Sequence, residues 1–144
     1  MVTLENLAKF KEYLYIIESR LLKKYFEAQK EYIHCKEGCA DCCKHGEYPT
    51  SEVELVYLMS AYHALDNETK KQIIANIDEI KANREANNGM YKCPFLIDNK
   101  CSVYNNRTII CRTHGLLFYI KDKDGNSRNK MPACVNKGLN YSEV

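Results

Sequence analysis

The sequence predicts a mainly α fold with small irregular β elements and a long N-terminal helix. Three observations carry that reading. An apolar stripe of helical period runs from residue 3 to about 33. Two further segments each join a cap signal to a helical stripe. From residue 90 the stripe gives way to short β-prone runs spaced by cysteines. A chain of 144 residues, 45% of them hydrophobic, is long enough for one domain with a real core. No linker, low-complexity tract or repeat divides it, so 1–144 reads as a single domain: 1–34 the N-terminal helix, 35–134 a cysteine-rich region.

In the first helix, Leu7, Phe10, Leu14, Ile17, Leu21 and Tyr25 recur at spacings of three and four, with charged residues opposite and Thr3 placed to cap. This stripe is expected to pack on the core. A loop from residue 35 to about 49 follows, with Gly38 and Gly46 giving turn freedom. Ser51 and Glu54 form a capping-box pattern that opens a helix to about Ala64, with Leu55, Val56, Met59 and Tyr62 on one side. Asp66 caps a third helix on the stripe Ile73, Ile77 and Ile80, which stops at Asn87, Asn88 and Gly89. The runs 95–97 and 102–104, separated by 98–100, suggest a small hairpin carrying Cys93 and Cys101 at its ends. A helical turn over 107–112, a strand over 116–120 and a turn at 122–126 complete the chain. Asp122, Asp124 and Asn126 resemble the start of a calcium loop, but its twelfth position is Ala133, which cannot ligate, so that reading is rejected.

Charge excludes more than it suggests. With 21 basic and 19 acidic residues the net charge is +2, too balanced for the basic stripe of a nucleic-acid binder. No apolar run reaches membrane-spanning length. The first ten residues lack the basic and apolar regions of a secretory leader, so a cytoplasmic location is the expectation.

Compartment decides how eight cysteines are read. An oxidising space would suggest up to four disulfides; a reducing one points to metal or thiol chemistry. Cys35, Cys39, Cys42 and Cys43 fall within nine residues, and Cys93, Cys101, Cys111 and Cys134 follow at gaps of 7, 9 and 22. Thiolates are soft ligands that suit zinc, Cu(I) and iron–sulfur clusters. Cys39 and Cys42 form a C-x-x-C knuckle, half of a tetrahedral site, and Cys35 can join it. Adjacent cysteines project differently, so Cys43 is expected to reach a second site or bridge. The distal four need the fold to gather them, and ligands shared between the groups would clamp the C-terminal third onto the helices. A cysteine-cluster metal-binding domain with zinc or iron, an iron–sulfur cluster included, is therefore expected, with all eight cysteines as candidate ligands. His34, His45 and His114 are further candidates. Arg107 and Arg112 bracket Cys111, where a cation would favour thiolate and offset cluster charge.

The succession Cys39, Cys42, Cys43, then Glu54, then Cys93-Pro94-Phe95-Leu96, then Cys101 to Tyr104 with Arg107, then Cys111-Arg112 resembles the YkgJ-type cysteine-cluster family. It is also similar to the cysteine-cluster region of flagellin lysine N-methylases. The resemblance spans about residues 35–134 and implies a zinc- or iron-chelating domain with a C-x-x-C-x-x-C-C signature. Here the first gap is three residues rather than two, and Thr108 follows Arg107 where the family commonly has proline.

Three functions compete. One is metal binding, structural or in metal handling, with any protein partner unspecified. The second is an enzyme akin to the methylases, using an iron–sulfur cluster and S-adenosylmethionine; Cys35-x-x-x-Cys39-x-x-Cys42 fits the spacing of radical enzymes, but no β/α barrel pattern surrounds it. The third is a zinc module for protein or nucleic-acid contact, with Tyr48, Tyr91, Tyr104 and Tyr119 near the cysteines; balanced charge opposes stacking of these rings on bases.

Overall fold

A computed structural model describes residues 1–143. Thr3 caps the first helix, its hydroxyl accepting the Asn6 amide at 3.1 Å, and α1 runs Leu4–Ile16. The helix continues through a π-helical turn, Ile17–Leu22, into α2, Lys23–Ala28. It thus ends at Ala28, short of the expected 33, and a 3₁₀ turn at Lys30–Tyr32 leads out. The capping box of Ser51 and Glu54 forms and opens α3, Glu52–Ala64. Asp66 caps α4, Asn67–Asn83, accepting the Thr69 amide at 2.9 Å.

The π turn changes which residues face inward. The expected stripe holds at Phe10 and Leu14, both buried, but Leu21 and Tyr25 are about half exposed and Leu22 is buried instead. A π turn adds a residue to the helical repeat, so every position after it shifts by one. Glu18, Leu22 and Phe26, four apart, thereby come to line one cleft. Leu22→Ala is expected to cost about 2–5 kcal/mol, and Leu21→Ala under about 1 kcal/mol, in chemical denaturation. Equal costs would mean that the helix keeps its phase.

A second correction concerns α3. Leu55 and Val56 face solvent, while Glu54 is buried. The inward face instead uses Tyr57, whose ring meets Phe10 edge-on at 5.5 Å. In α4 the stripe is as expected, with Ile73 fully buried.

The remainder is short elements. Strands β1, Leu96–Ile97, and β2, Lys100–Cys101, pair antiparallel with Leu96 opposite Cys101. Asp98 and Asn99 form the whole turn, with φ of 48° and 59°, the left-handed conformation of a tight two-residue hairpin. The second strand therefore begins earlier than expected, and 104–106 is a 3₁₀ turn rather than strand. Helix α5 is Ile109–Thr113. Strands β3, Phe118–Lys121, and β4, Ser127–Lys130, form a second hairpin. Leu116, expected within that strand, is instead a buried residue before it.

Side-chain bonds hold these pieces to the helices. The Asn76 amide donates to the Pro94 carbonyl at 2.9 Å, and the Asn106 amide to the Tyr57 carbonyl at 2.9 Å. The Glu54 carboxylate accepts from the Ser51 hydroxyl at 2.6 Å and from the Ile109 amide at 2.7 Å, so it caps α3 and α5 together. Burial pushes its pKa up, but the Ser51 hydroxyl and the Ile109 and Ser51 amides outweigh that, leaving it below the usual value.

Candidate metal centre

All eight cysteines carry free thiols. Seven of them, Cys35, Cys39, Cys42, Cys43, Cys93, Cys101 and Cys111, line one cleft of about 850 Å³. They arrive from the loop after α2, the entry and second strand of the first hairpin, and α5. They share the cleft without forming a ready-made site: among the described residues, no three Cys, His, Asp or Glu side chains stand in the geometry of a coordination site. The donor set fits a soft metal, being rich in sulfur and partly desolvated.

Local bonds explain the convergence. The Cys93 amide donates to the Cys43 carbonyl at 2.7 Å, which ties the proximal loop directly to the distal segment. The adjacent Cys42 and Cys43 sulfurs lie 4.0 Å apart. The Thr108 hydroxyl donates to Cys111 Sγ at 3.2 Å. The Tyr48 hydroxyl donates to the Cys42 carbonyl at 2.9 Å and shares the His45 carbonyl at 3.0 Å, closing the loop over its own cysteines. Cys134 stands outside the cleft lining, on a 3₁₀ turn at Ala133–Lys137, and it feels the charge of Cys35. Lys137 reaches back to Asp41, joining that turn to the cysteine loop.

Burial raises the proton affinity of most of these thiols, and repulsion among them adds to it. Burial pushes Cys93 up to about 11, with the charges of Cys101, Cys111 and Cys42 adding to it. Burial likewise raises Cys35, Cys101 and Cys134; Arg107 works against the rise at Cys101. Cys42 rises through its hydrogen bond to Cys43 and through burial, while Cys43 falls because it accepts that bond. A cation placed among these sulfurs would reverse the repulsion, which is how metal binding couples to proton release.

These shifts give a pH dependence for metal-free, reduced protein. The folded-state pKa of Cys93 lies above that of an unfolded cysteine, about 8.5. Its buried neutral thiol therefore contributes stability fully below about pH 8.5, and this is lost as pH rises towards about 11. The Tm is expected to fall across that window, and to fall less steeply in Cys93→Ser. Equal slopes in both proteins would show that Cys93 stays solvated.

The arginines divide. Arg107 stacks on the Tyr104 ring at 3.6 Å and remains near Cys101. Arg112 is buried, not at the surface and not aimed at a thiolate: it pairs with Glu18 and donates to the carbonyls of Arg107 and Asn105. The histidines divide too. His34 is exposed and off the cleft, with its backbone amide held by Asn140. His45 lies 2.9 Å from the Lys137 ammonium. His114 alone of the three lines the cleft.

Sequence reading missed Asn140. It is 1% exposed; its amide nitrogen donates to Cys35 Sγ at 3.1 Å and to the Gly115 carbonyl at 3.0 Å, and its oxygen accepts the His34 amide at 2.7 Å. One side chain thus links the cysteine loop, the exit of α5 and the C-terminal segment. Gly115 makes room for it: φ is +91°, and a Cβ there would stand 2.7 Å from the Asn140 nitrogen and 3.2 Å from Cys35 Sγ. No local signal marks Asn140, whose three partners are all distant in sequence.

A helical frame whose loops deliver thiols from several segments to one cleft defines a cysteine-cluster protein. Residues 34–134 match the model of the CxxCxxCC family, described as "Putative zinc- or iron-chelating domain", and the chain belongs to that family. The comparisons with curated proteins and with solved structures found no match.

Proposed function

We propose that this protein chelates zinc or iron through thiolates drawn from Cys35, Cys39, Cys42, Cys43, Cys93, Cys101, Cys111 and Cys134. The observation that supports it most is the gathering of seven of these thiols around one cleft. Soft donors at this density suit zinc, whose sites are commonly four thiolates, or iron bound as an iron–sulfur cluster. Residues 1–144 act as one unit, in a reducing, cytoplasmic setting that keeps the thiols free. The first partner is the metal ion; balanced charge disfavours nucleic acid, and no helix among the described residues is long and apolar enough to cross a membrane.

A methylase-like enzyme using S-adenosylmethionine rests on the spacing of Cys35, Cys39 and Cys42. The strands described here are two antiparallel hairpins, which offer no parallel barrel to carry that chemistry. Chelation is therefore the reading adopted.

The test is metal and acid-labile sulfide analysis of protein purified without oxygen. About one or two zinc per chain without sulfide supports a zinc centre. About four iron with four sulfide supports a cluster instead. Protein that takes up neither metal, with all thiols reduced and titratable, overturns chelation.

A further inference from the structure

We propose that His114 supplies Nε2 as a nitrogen donor to the metal centre of this cleft, beside Cys111 and the Cys42–Cys43 pair. The inference rests on the chelation reading and deepens it, changing an all-sulfur donor set into a mixed one.

Four observations carry it. The Nε2 atom of His114 is buried and has no hydrogen-bond partner, the one such side-chain nitrogen or oxygen among the described residues. An unpaired buried polar atom costs free energy, and in a native protein it calls for an explanation such as a bound ion. His114 lines the same cleft as the seven cysteines. Cys111 and His114 lie three residues apart at the end of α5, a spacing that puts both on one side of a helical turn.

The fourth observation is how the ring is oriented. Tyr48 packs against the imidazole at 4.5 Å, with the rings inclined by 66°. The Tyr48 hydroxyl in turn donates to the Cys42 carbonyl at 2.9 Å. The cysteine loop thus fixes the imidazole through one intermediary, as an outer contact fixes the plane of a metal-binding histidine. Burial also favours the neutral imidazole, the form that binds metal.

The chemical consequence is a smaller negative charge on the centre than thiolates alone would give. On zinc this lowers the electron density at the metal. On an iron–sulfur cluster, a histidine in place of a thiolate raises the reduction potential.

The experiment is X-ray absorption on the full chain, at the edge of whichever metal it carries as purified. Wild type is expected to show imidazole scattering beside sulfur. His114→Phe keeps a ring against Tyr48 but has no nitrogen. It is expected to lose that scattering and to bind the metal at least about 10-fold more weakly, while its metal-free helicity matches wild type. His114→Cys is expected to recover binding with sulfur-only scattering. Metal bound by wild type without imidazole scattering, or scattering that persists in either variant, overturns the inference and leaves chelation standing. A wild type that takes up no metal overturns both.

Discussion

Stripping the metal with a strong chelator is expected to unfold the C-terminal third of the chain while the α1–α4 frame persists. The two regions differ in what holds them. The frame contributes Phe10, Leu14, Leu22 and Ile73 to the buried core and has capped helices of 13 and 17 residues. Residues 90–143 bury a similar number of large apolar side chains, Leu96, Val103, Leu116 and Tyr141, but on or between short elements. Their elements cannot stand alone. Two-stranded hairpins are marginal in water, and a helix of five residues, as α5 is, lies far below the length that forms by itself. A structural metal contributes on the order of 10 kcal/mol to a small domain, as much as burying this segment's few apolar side chains does, so its removal takes away a large share of what orders the segment. Hydrogen exchange followed by mass spectrometry reads the two regions apart. Amides of 93–143 are expected to lose protection after chelation, while those of 4–28 and 52–83 retain most of theirs. Unchanged protection in 93–143 would show that packing alone orders the segment and that the thiols do not clamp it.

The parts of this design written locally were legible from sequence. Thr3, Ser51 with Glu54, and Asp66 each cap a helix through bonds to residues three positions away, so neighbouring letters suffice to predict them. The cysteines declare their chemistry by type and number, and their gathering follows from spacing plus a need for ligands. What the sequence concealed depends on distant partners. Leu21 and Leu22 are equally apolar, and only the π turn decides which is buried. Three histidines near cysteines look alike until Lys137, from the far end of the chain, engages His45, and Tyr48 engages His114. Asn140 is one polar letter in a tail, and its role arises because Gly115 and Cys35 arrive beside it. Glu54 reads as a cap for its own helix; its second bond, to Ile109, spans 55 residues.

Arg112→Ala is expected to cost about 3–5 kcal/mol and to loosen Cys111 with it. The Arg112 side chain is 4% exposed and Glu18, its partner, 45%. That asymmetry sets where the cost of each variant falls. Without Arg112, the Glu18 carboxylate can return to water, so the loss falls on what the guanidinium bound: the Asn105 and Arg107 carbonyls, left short of a donor, and the space it filled. Without Glu18, the guanidinium keeps those two carbonyls but stays buried with its charge unanswered, and Glu18→Ala is expected to cost a similar amount, about 3–5 kcal/mol. Arg112→Lys should recover little, because a single ammonium cannot reproduce a fork aimed at three acceptors. The π turn carries one partner of this pair, Glu18. A regular helix would keep the earlier phase through this turn, whereas the added residue brings Glu18 and Leu22 together to the cleft, one facing Arg112 and the other the core. Denaturant titration of metal-free protein separates this from ligand loss, since no metal then contributes. If Arg112→Ala lowers metal affinity while leaving metal-free stability unchanged, Arg112 acts on the thiolates directly and the clamp between the π turn and α5 is wrong.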